Sequence, residues 1–435
     1  MFKETSKELL DFLSKSPTAF HAVENYRQIL NADGFKELLE SEHWDIVPGG
    51  KYYVTRNNTS ILAFKVGTKL DNYSFNIVTS HTDSPTFKVK ENAEIEVKNK
   101  YTQLNTEGYG GMLCATWLDR PLSIAGRVLV SEGNSIVTKL LNIDRDLLMI
   151  PNVAIHMNRA ANDGFKYNLQ VDMLPLLSAG DDRQKDFKQI LADELGVKKE
   201  DILGHDLYLY NRMAPSIWGA NEEFISAGHL DDLQCGFASL KALLAGYNDE
   251  SIDIMACFDN EEVGSGTKQG ADSTLLRDTL TRINSALGKT EEDYYRALAS
   301  SFMLSSDNAH AVHPNHPEHT DATNCTYMNE GVVVKSHAGQ KYTSDGVSMA
   351  VVKALASGAD VPLQYFANRS DKAGGSTLGN IAMAQASMNA VDIGLPQLAM
   401  HSSYETAGIK DTYYAISLFD SHIQETSTHS LEIKR

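Results

Sequence analysis

The sequence predicts an α/β protein: a mainly parallel sheet sandwiched between helices, with a β-rich block inserted into it. Three observations carry this. Strand-like and helix-like runs alternate near both ends of the chain, which implies a largely parallel sheet covered on both faces. Residues 252–258, Ile-Asp-Ile-Met-Ala-Cys-Phe, read as a buried strand. The middle of the chain, 92–229, has a different texture, with short strands and a hairpin.

The elements follow in order. Leu9, Leu10, Phe12 and Leu13 form one apolar face at near-helical spacing. Ser16-Pro17-Thr18 interrupts that helix and offers a cap for a second, 19–30. Residues 51–66 and 73–80 are rich in β-branched and aromatic side chains and read as strands. Past 92, Ile95 and Val97 alternate with charges, and 127–141 reads as a hairpin with a four-residue loop at 131–134. The charged segment 181–201 reads as a short surface helix. After 230, Leu233, Phe237, Leu240, Leu243 and Leu244 share one helix face. Gly375 opens a further helix through Ile381, Met383, Ala384 and Met388, whose methionines fill core space. The expected organisation is a discontinuous domain, 1–91 with 230–435, and an inserted block, 92–229.

Composition narrows the function. The 435 residues carry 39 Lys and Arg against 57 Asp and Glu, a formal charge of −18. Repulsion from phosphates makes nucleic acid an unsuitable partner. The 42% hydrophobic and 22% charged content is that of an ordinary globular protein. Four cysteines, Cys114, Cys235, Cys257 and Cys325, form no Cys-x-x-Cys pair. The first twenty residues hold no apolar signal core. No run reaches the roughly 18 apolar residues of a membrane helix. The expectation is a cytoplasmic, reduced protein without a membrane or nucleic-acid partner.

The acids and histidines fall at element ends. His81-Thr82-Asp83 follows one strand and Asp259-Asn260-Glu261-Glu262 follows another. In open α/β sheets, ligands bind at the carboxyl ends of strands. Asp231 opens a helix, Asp307 follows an apolar stretch, and His401 follows Leu398-Ala399-Met400. Alone, each has an ordinary explanation: a solvated histidine, a helix cap, a loop carboxylate. Together, His81, Asp231, Glu262, Asp307 and His401 supply two imidazoles and three carboxylates. That set suits two Zn²⁺ or Mn²⁺ ions with one bridging carboxylate. Glu261 is then free to act as general base, and Asp83 can orient the His81 ring.

Competing motifs are weak. Gly264-Ser265-Gly266-Thr267-Lys268 lacks the residue order of a phosphate-binding loop, and the chain has no His-Glu-x-x-His and no Gly-x-Ser-x-Gly. His310, His313, His316 and His319 recur every third residue. Pro314 and Pro317 break any helix that would align them, so this is a loop with at most one or two functional histidines.

Five segments carry a family resemblance: His81-Thr82-Asp83-Ser84-Pro85, Leu230-Asp231-Asp232-Leu233, Asp259-Asn260-Glu261-Glu262-Val263-Gly264-Ser265, the run from Ser306 to Asn315, and Ala399-Met400-His401-Ser402. In this order they resemble the aspartyl aminopeptidase family of co-catalytic zinc exopeptidases, over about Leu9 to Ile423. The resemblance implies that His81, Asp231 and Asp307 bind one metal. It implies that Asp231, Glu262 and His401 bind the other, with Asp231 bridging. Zinc is the expected metal, with manganese or cobalt as substitutes. Glu261 would be the base and Asp83 the residue orienting His81. His156, in Ile150-Pro151-Asn152-Val153-Ala154-Ile155-His156, would reach the active site of a paired subunit. Lys335 would read an acidic substrate side chain, Tyr342 would contact substrate nearby, and Gly375 would line the site in a glycine loop. The family's inserted domain dimerises, and its dimers build a tetrahedral dodecamer.

One position departs from the pattern. Tyr404 stands where members most clearly specific for acidic residues resemble Arg. Lys335 points towards N-terminal Asp or Glu of a peptide substrate. Tyr404 points towards the branches that prefer neutral, apolar residues. Outside enzymes, the alternative is a catalytically silent metal-binding assembly scaffold.

Overall fold

The computed structural model describes residues 1–180 and 186–424. Three sheets organise them. The largest has nine strands in the order Lys36–Glu37, Lys51–Arg56, Ser60–Val66, Ser251–Phe258, Ser74–His81, Phe302–Ser306, Asn389–Gly394, Val332–Ser336, Leu363–Ala367. Its four central strands, Ser251–Phe258 through Asn389–Gly394, are mutually parallel. Antiparallel neighbours flank them, Ser60–Val66 on one side and Val332–Ser336 on the other. The sheet is therefore mixed around a parallel centre.

Alternation sends neighbouring side chains to opposite faces, and each face has its own core. Met255 and Cys257 pack with Leu9, Tyr26, Leu233, Phe237, Leu418 and Phe419. Ile254, Ala256 and Phe258 pack with Leu275, Leu280, Ile283 and Tyr294 on the other side. Helices Phe2–Ser14, Ala19–Ala32, Leu230–Ala245 and Asp411–Gln424 thus cover one face, and Leu275–Ala286 and Glu291–Ala299 the other.

The second sheet has six strands, all antiparallel, drawn from residues 86–211. Its core is Phe87, Trp117, Leu122, Ile124, Val128, Leu207 and Leu209, closed by Phe187 and Leu191 of the helix Phe187–Leu195. The third sheet joins Ser216–Trp218 and Phe224–Ala227 to Glu405–Gly408, Pro396–Leu398 and Ala309–His310.

Local expectations are corrected in four places. The hairpin loop is two residues, not four, because Ser131 and Glu132 stay in the ladder and Glu132 pairs with Ser135. Gly133 at φ 64° takes the turn, and two-residue loops match strand twist best. The helix expected from Gly375 spans only Gly379–Gln385, leaving Met388 outside it. Thr377 donates to Asp392 and Gly374 is left-handed, which holds the preceding stretch as a loop. Thr18 sits at the cap position, but its hydroxyl pairs with His21 Nδ1 rather than with the backbone. Of the expected surface helix at 181–201, residues 181–185 lie outside the described residues, and the helix proper is Phe187–Leu195.

Candidate active site

Parallel register aligns the ends of the central strands. His81 lies beside Phe258, and Ser306 lies beside Ile393. The residues that follow are therefore released at one edge: Asp83, Asp259 to Glu262, and Asp307. The third sheet closes over that edge and delivers His401 from the turn between Pro396–Leu398 and Glu405–Gly408. Asp231 arrives at the start of the helix Leu230–Ala245. It and Asp232 are not helical, so the regular helix begins at Leu233, and their shared peptide is cis.

A pocket of 190 Å³ results, lined by His81, Asp231, Glu261, Glu262, Asp307, Lys335, Tyr342, Gly375 and His401, among others. His81 Nε2 is 3.3 Å from Asp231 Oδ1. His401 Nε2 is 3.5 Å from Asp231 Oδ2 and 3.3 Å from Glu262 Oε2. Two triplets, His81 with Asp231 and Asp307, and Asp231 with Glu262 and His401, each place one ligand atom per residue within 4.8 Å of the others. The triplets share Asp231. Glu261 joins His81 and Glu262 in a third such group.

Both imidazoles are oriented from behind. His401 Nδ1 lies 2.8 Å from the Gly111 carbonyl, which leaves Nε2 bare towards the acids. His81 Nδ1 is 3.1 Å from the backbone carbonyl of Asp83 and 3.5 Å from its carboxylate, so the nearer orienting atom is main-chain. The Asp83 carboxylate accepts from the backbone N–H of Glu261 and Glu262 at 3.1 and 3.2 Å, and from the Tyr109 hydroxyl at 2.7 Å. It clamps the turn that carries both glutamates. His229, Asn260, Ala399 and His401 all have left-handed φ between 56° and 67°. Such non-glycine strain concentrates at functional sites.

Electrostatics asks for cations here. Burial pushes Glu261 up to about 8 and raises Glu262 well above the carboxylate range, with Asp231 adding to the latter. Burial also raises Asp307. Burial opposes ionisation of Asp231 too, but the His401 and His81 rings beside it hold it below its usual range. Burial pulls His401 down, and Asp231 overcomes that and brings it to about 9. Asp231 Oδ1 and Glu262 Oε1 are buried without a hydrogen-bond partner. Buried charges are normally paired or coordinate metals. The donor set, two bare imidazole nitrogens and three carboxylates, fits divalent ions of the zinc type.

Lys335 is buried, donates to the Asn308 carbonyl at 2.7 Å, and lies 3.6 Å from Asp307 Oδ1 and 5.7 Å from the Tyr342 ring centre. Tyr404 is not among the lining residues; its hydroxyl donates to the Ala214 carbonyl at 2.7 Å. His156 is exposed in the segment 151–172 and is not brought to this pocket within one chain. A larger cavity of 320 Å³ lies behind Asp83, but its Lys88 and Arg127 are both spent on Asp206.

Sequence reasoning missed several supports. Glu405, buried and raised to about 8 by burial and Asp231, accepts from the backbone N–H of Asp231 and His401 at 2.9 and 2.8 Å. Asp232 accepts from the His81 N–H. Asn308 ties Leu230, Gln234 and Gln397 together. Their local sequence carries no signal that separates a buried polar residue from a solvated one.

Known proteins agree with this architecture. The family model described as aminopeptidase I zinc metalloprotease (M18) matches residues 12–422. The "Probable M18 family aminopeptidase 2" of Clostridium novyi is 48% identical over 420 residues, covering 95% of this chain and 97% of that protein. Its namesake in Clostridium acetobutylicum is 48% identical over 423 residues, with 96% and 98% covered. Among solved structures, Ape4 in its complex with Nbr1 superposes with a TM-score of 0.96 at 35% identity, over 100% of this chain and 88% of that one. The mApe1 dodecamer of S. cerevisiae superposes at 0.84 with 28% identity, over 97% of this chain and 96% of that one. The chain belongs to the M18 family of zinc metallopeptidases and is a metal-dependent aminopeptidase.

Proposed function

We propose that the protein removes an acidic N-terminal residue from peptides, using two divalent ions and Glu261 as general base. The carrying observation is the pair of ligand triplets that share Asp231, with Glu261 beside them. His81, Asp231 and Asp307 would hold one ion, and Asp231, Glu262 and His401 the other. Zinc suits this mixed nitrogen and oxygen set, and manganese or cobalt could substitute. When bound, the ions polarise the scissile carbonyl and make a water acidic enough to lose a proton near neutral pH. Glu261 takes that proton on its carboxylate and returns it to the leaving amine nitrogen. Asp83 keeps the glutamate turn in place, and Gly111 and Glu405 keep His401 in place. A pocket of 190 Å³ suits one residue rather than a long peptide, which supports removal from the end.

Lys335 supports the acidic preference, because its ammonium is buried among Tyr342 and Asn308 in the pocket wall. A neutral preference has its own support, since Lys335 already faces Asp307 and Tyr404 points away. Release rates of N-terminal Asp, Glu, Leu and Ala from matched peptides decide between them. Asp and Glu well ahead of Leu and Ala is the expected result. The reverse order would demote Lys335 and assign the neutral branch.

We also infer self-association through the inserted block, 92–229. Val153, Ile155, Met157, Leu169 and Val171 are exposed large apolar side chains within the segment that holds His156. Water is a poor solvent for so many exposed apolar side chains, and a second copy would cover them. His156 would then enter the partner's pocket and stabilise the oxyanion. Dimers of this kind would assemble further, to a dodecamer like that of S. cerevisiae Ape1. The four cysteines are free, which supports a reducing, cytoplasmic setting. Among the described residues no helix is long and apolar enough to cross a membrane.

A further inference from the structure

The loop after Asp307 carries chemistry that peptide hydrolysis does not use. His310 turns inward and lines the pocket, but His313, His316 and His319 form a separate exposed row. The His316 and His319 rings are nearly parallel, 21° apart with centres 5.4 Å apart. His316, Glu318 and His319 each offer one ligand atom within 4.8 Å of the other two. Glu318 Oε1 lies 3.1 Å from His316 Nδ1. The short 3₁₀ turn Pro317–His319 brings these side chains to one side, and Pro314 and Pro317 limit how far the loop can open. Arg369 donates to the Glu318 carbonyl and pairs with Asp371, which anchors the loop from outside.

We propose that His316, Glu318 and His319 form a further cation site, apart from the pocket, for a borderline divalent transition ion such as Zn²⁺. The chemistry selects the ion class. Two imidazoles and one carboxylate favour zinc, nickel or copper over magnesium or calcium, which prefer all-oxygen sets. Exposed acids alone would carry no such preference. His313 is not a ligand, because its Nδ1 accepts from the Asn315 N–H at 3.2 Å, so the neutral ring keeps its proton on Nε2. The remaining coordination positions face solvent and would be filled by water. Because Arg369 leads into the loop that reaches Gly375, an ion here would brace one rim of the pocket.

Equilibrium dialysis of the full-length protein against Zn²⁺, with metal counted per chain, tests the site. The readout is a difference between variants that share an identical pocket, so it does not depend on how many ions the pocket holds. The His316→Ala/His319→Ala double variant should bind one ion fewer per chain than wild type, with an unchanged near-ultraviolet circular dichroism spectrum. Glu318→Gln should weaken that ion by about tenfold or more. His313→Ala should leave the count intact. Equal counts in wild type and the double variant would overturn the site. Loss of the ion in His313→Ala, or unchanged affinity in Glu318→Gln, would overturn this ligand set.

Discussion

The nine-stranded and six-stranded sheets differ in where they leave their polar residues. In the larger sheet four parallel strands end together, and the loops beyond His81, Phe258 and Ser306 meet at one edge. In the smaller sheet every pairing is antiparallel, so strand ends alternate between opposite edges. No edge of it collects a comparable cluster of acids and histidines among the described residues. Its core is apolar, and the segment beside it, 151–172, exposes apolar side chains instead. Parallel pairing gathers chemistry, and antiparallel pairing builds a platform. The two regions touch at Tyr109, the last residue of the strand Tyr101–Tyr109, whose hydroxyl donates to Asp83 and accepts from Asn260.

Four substitutions would break or sharpen this division. Glu261→Gln should lower kcat by about 10²- to 10⁴-fold, the usual worth of a general base, while leaving bound metal and melting temperature unchanged. A variant within threefold of wild type would remove Glu261 from the chemistry. On the platform side, Met157→Asp places a charge in the most exposed apolar position of its segment, 83% accessible. Sedimentation should show smaller assemblies, and kcat should fall because His156 no longer reaches a partner. Dissociated chains with full kcat would mean that each site is complete alone. Leu207→Ala empties a fully buried position in the six-stranded core and should cost about 2–5 kcal/mol in denaturant unfolding. Its kcat per folded, assembled chain should stay near wild type, and a large loss there would show the platform acting on the chemistry. Tyr109→Phe should have the smallest effect. Losing two hydrogen bonds, each worth about 1 kcal/mol net, should lower kcat several-fold with KM almost unchanged. No change at all would mean that the Asp83 clamp holds without the second sheet.

Much of the site was legible because its signals are local. His81, Asp83, Glu261 and Glu262 immediately follow apolar strand runs, and a strand end is recognisable from a few residues. Fold class was legible for the same reason, since continuous apolar strands alternate with amphipathic helices. Glu405 was not legible, because its value lies in two backbone amides, one of them 174 residues away. Tyr109 was not legible, because it closes a strand in one sheet and acts on a residue just past a strand of another. The length of the helix near Gly375 was misjudged because the Thr377–Asp392 contact, not local propensity, holds the preceding loop. Lys335 lies between: its presence is readable, but its contact with Asp307 appears only in three dimensions.

By itself, the sequence determined the apolar runs that become the central strands, and the residue types able to bind metal, with Glu261 next to the candidate ligand Glu262. The tertiary structure decided that the candidate ligands form two triplets sharing Asp231, because parallel register brings the residues after His81, Phe258 and Ser306 to one edge, and a helix start and the third sheet deliver Asp231 and His401 to it. It also decided which carboxylates are buried, and therefore which of 57 acids carry a charge that water cannot relieve.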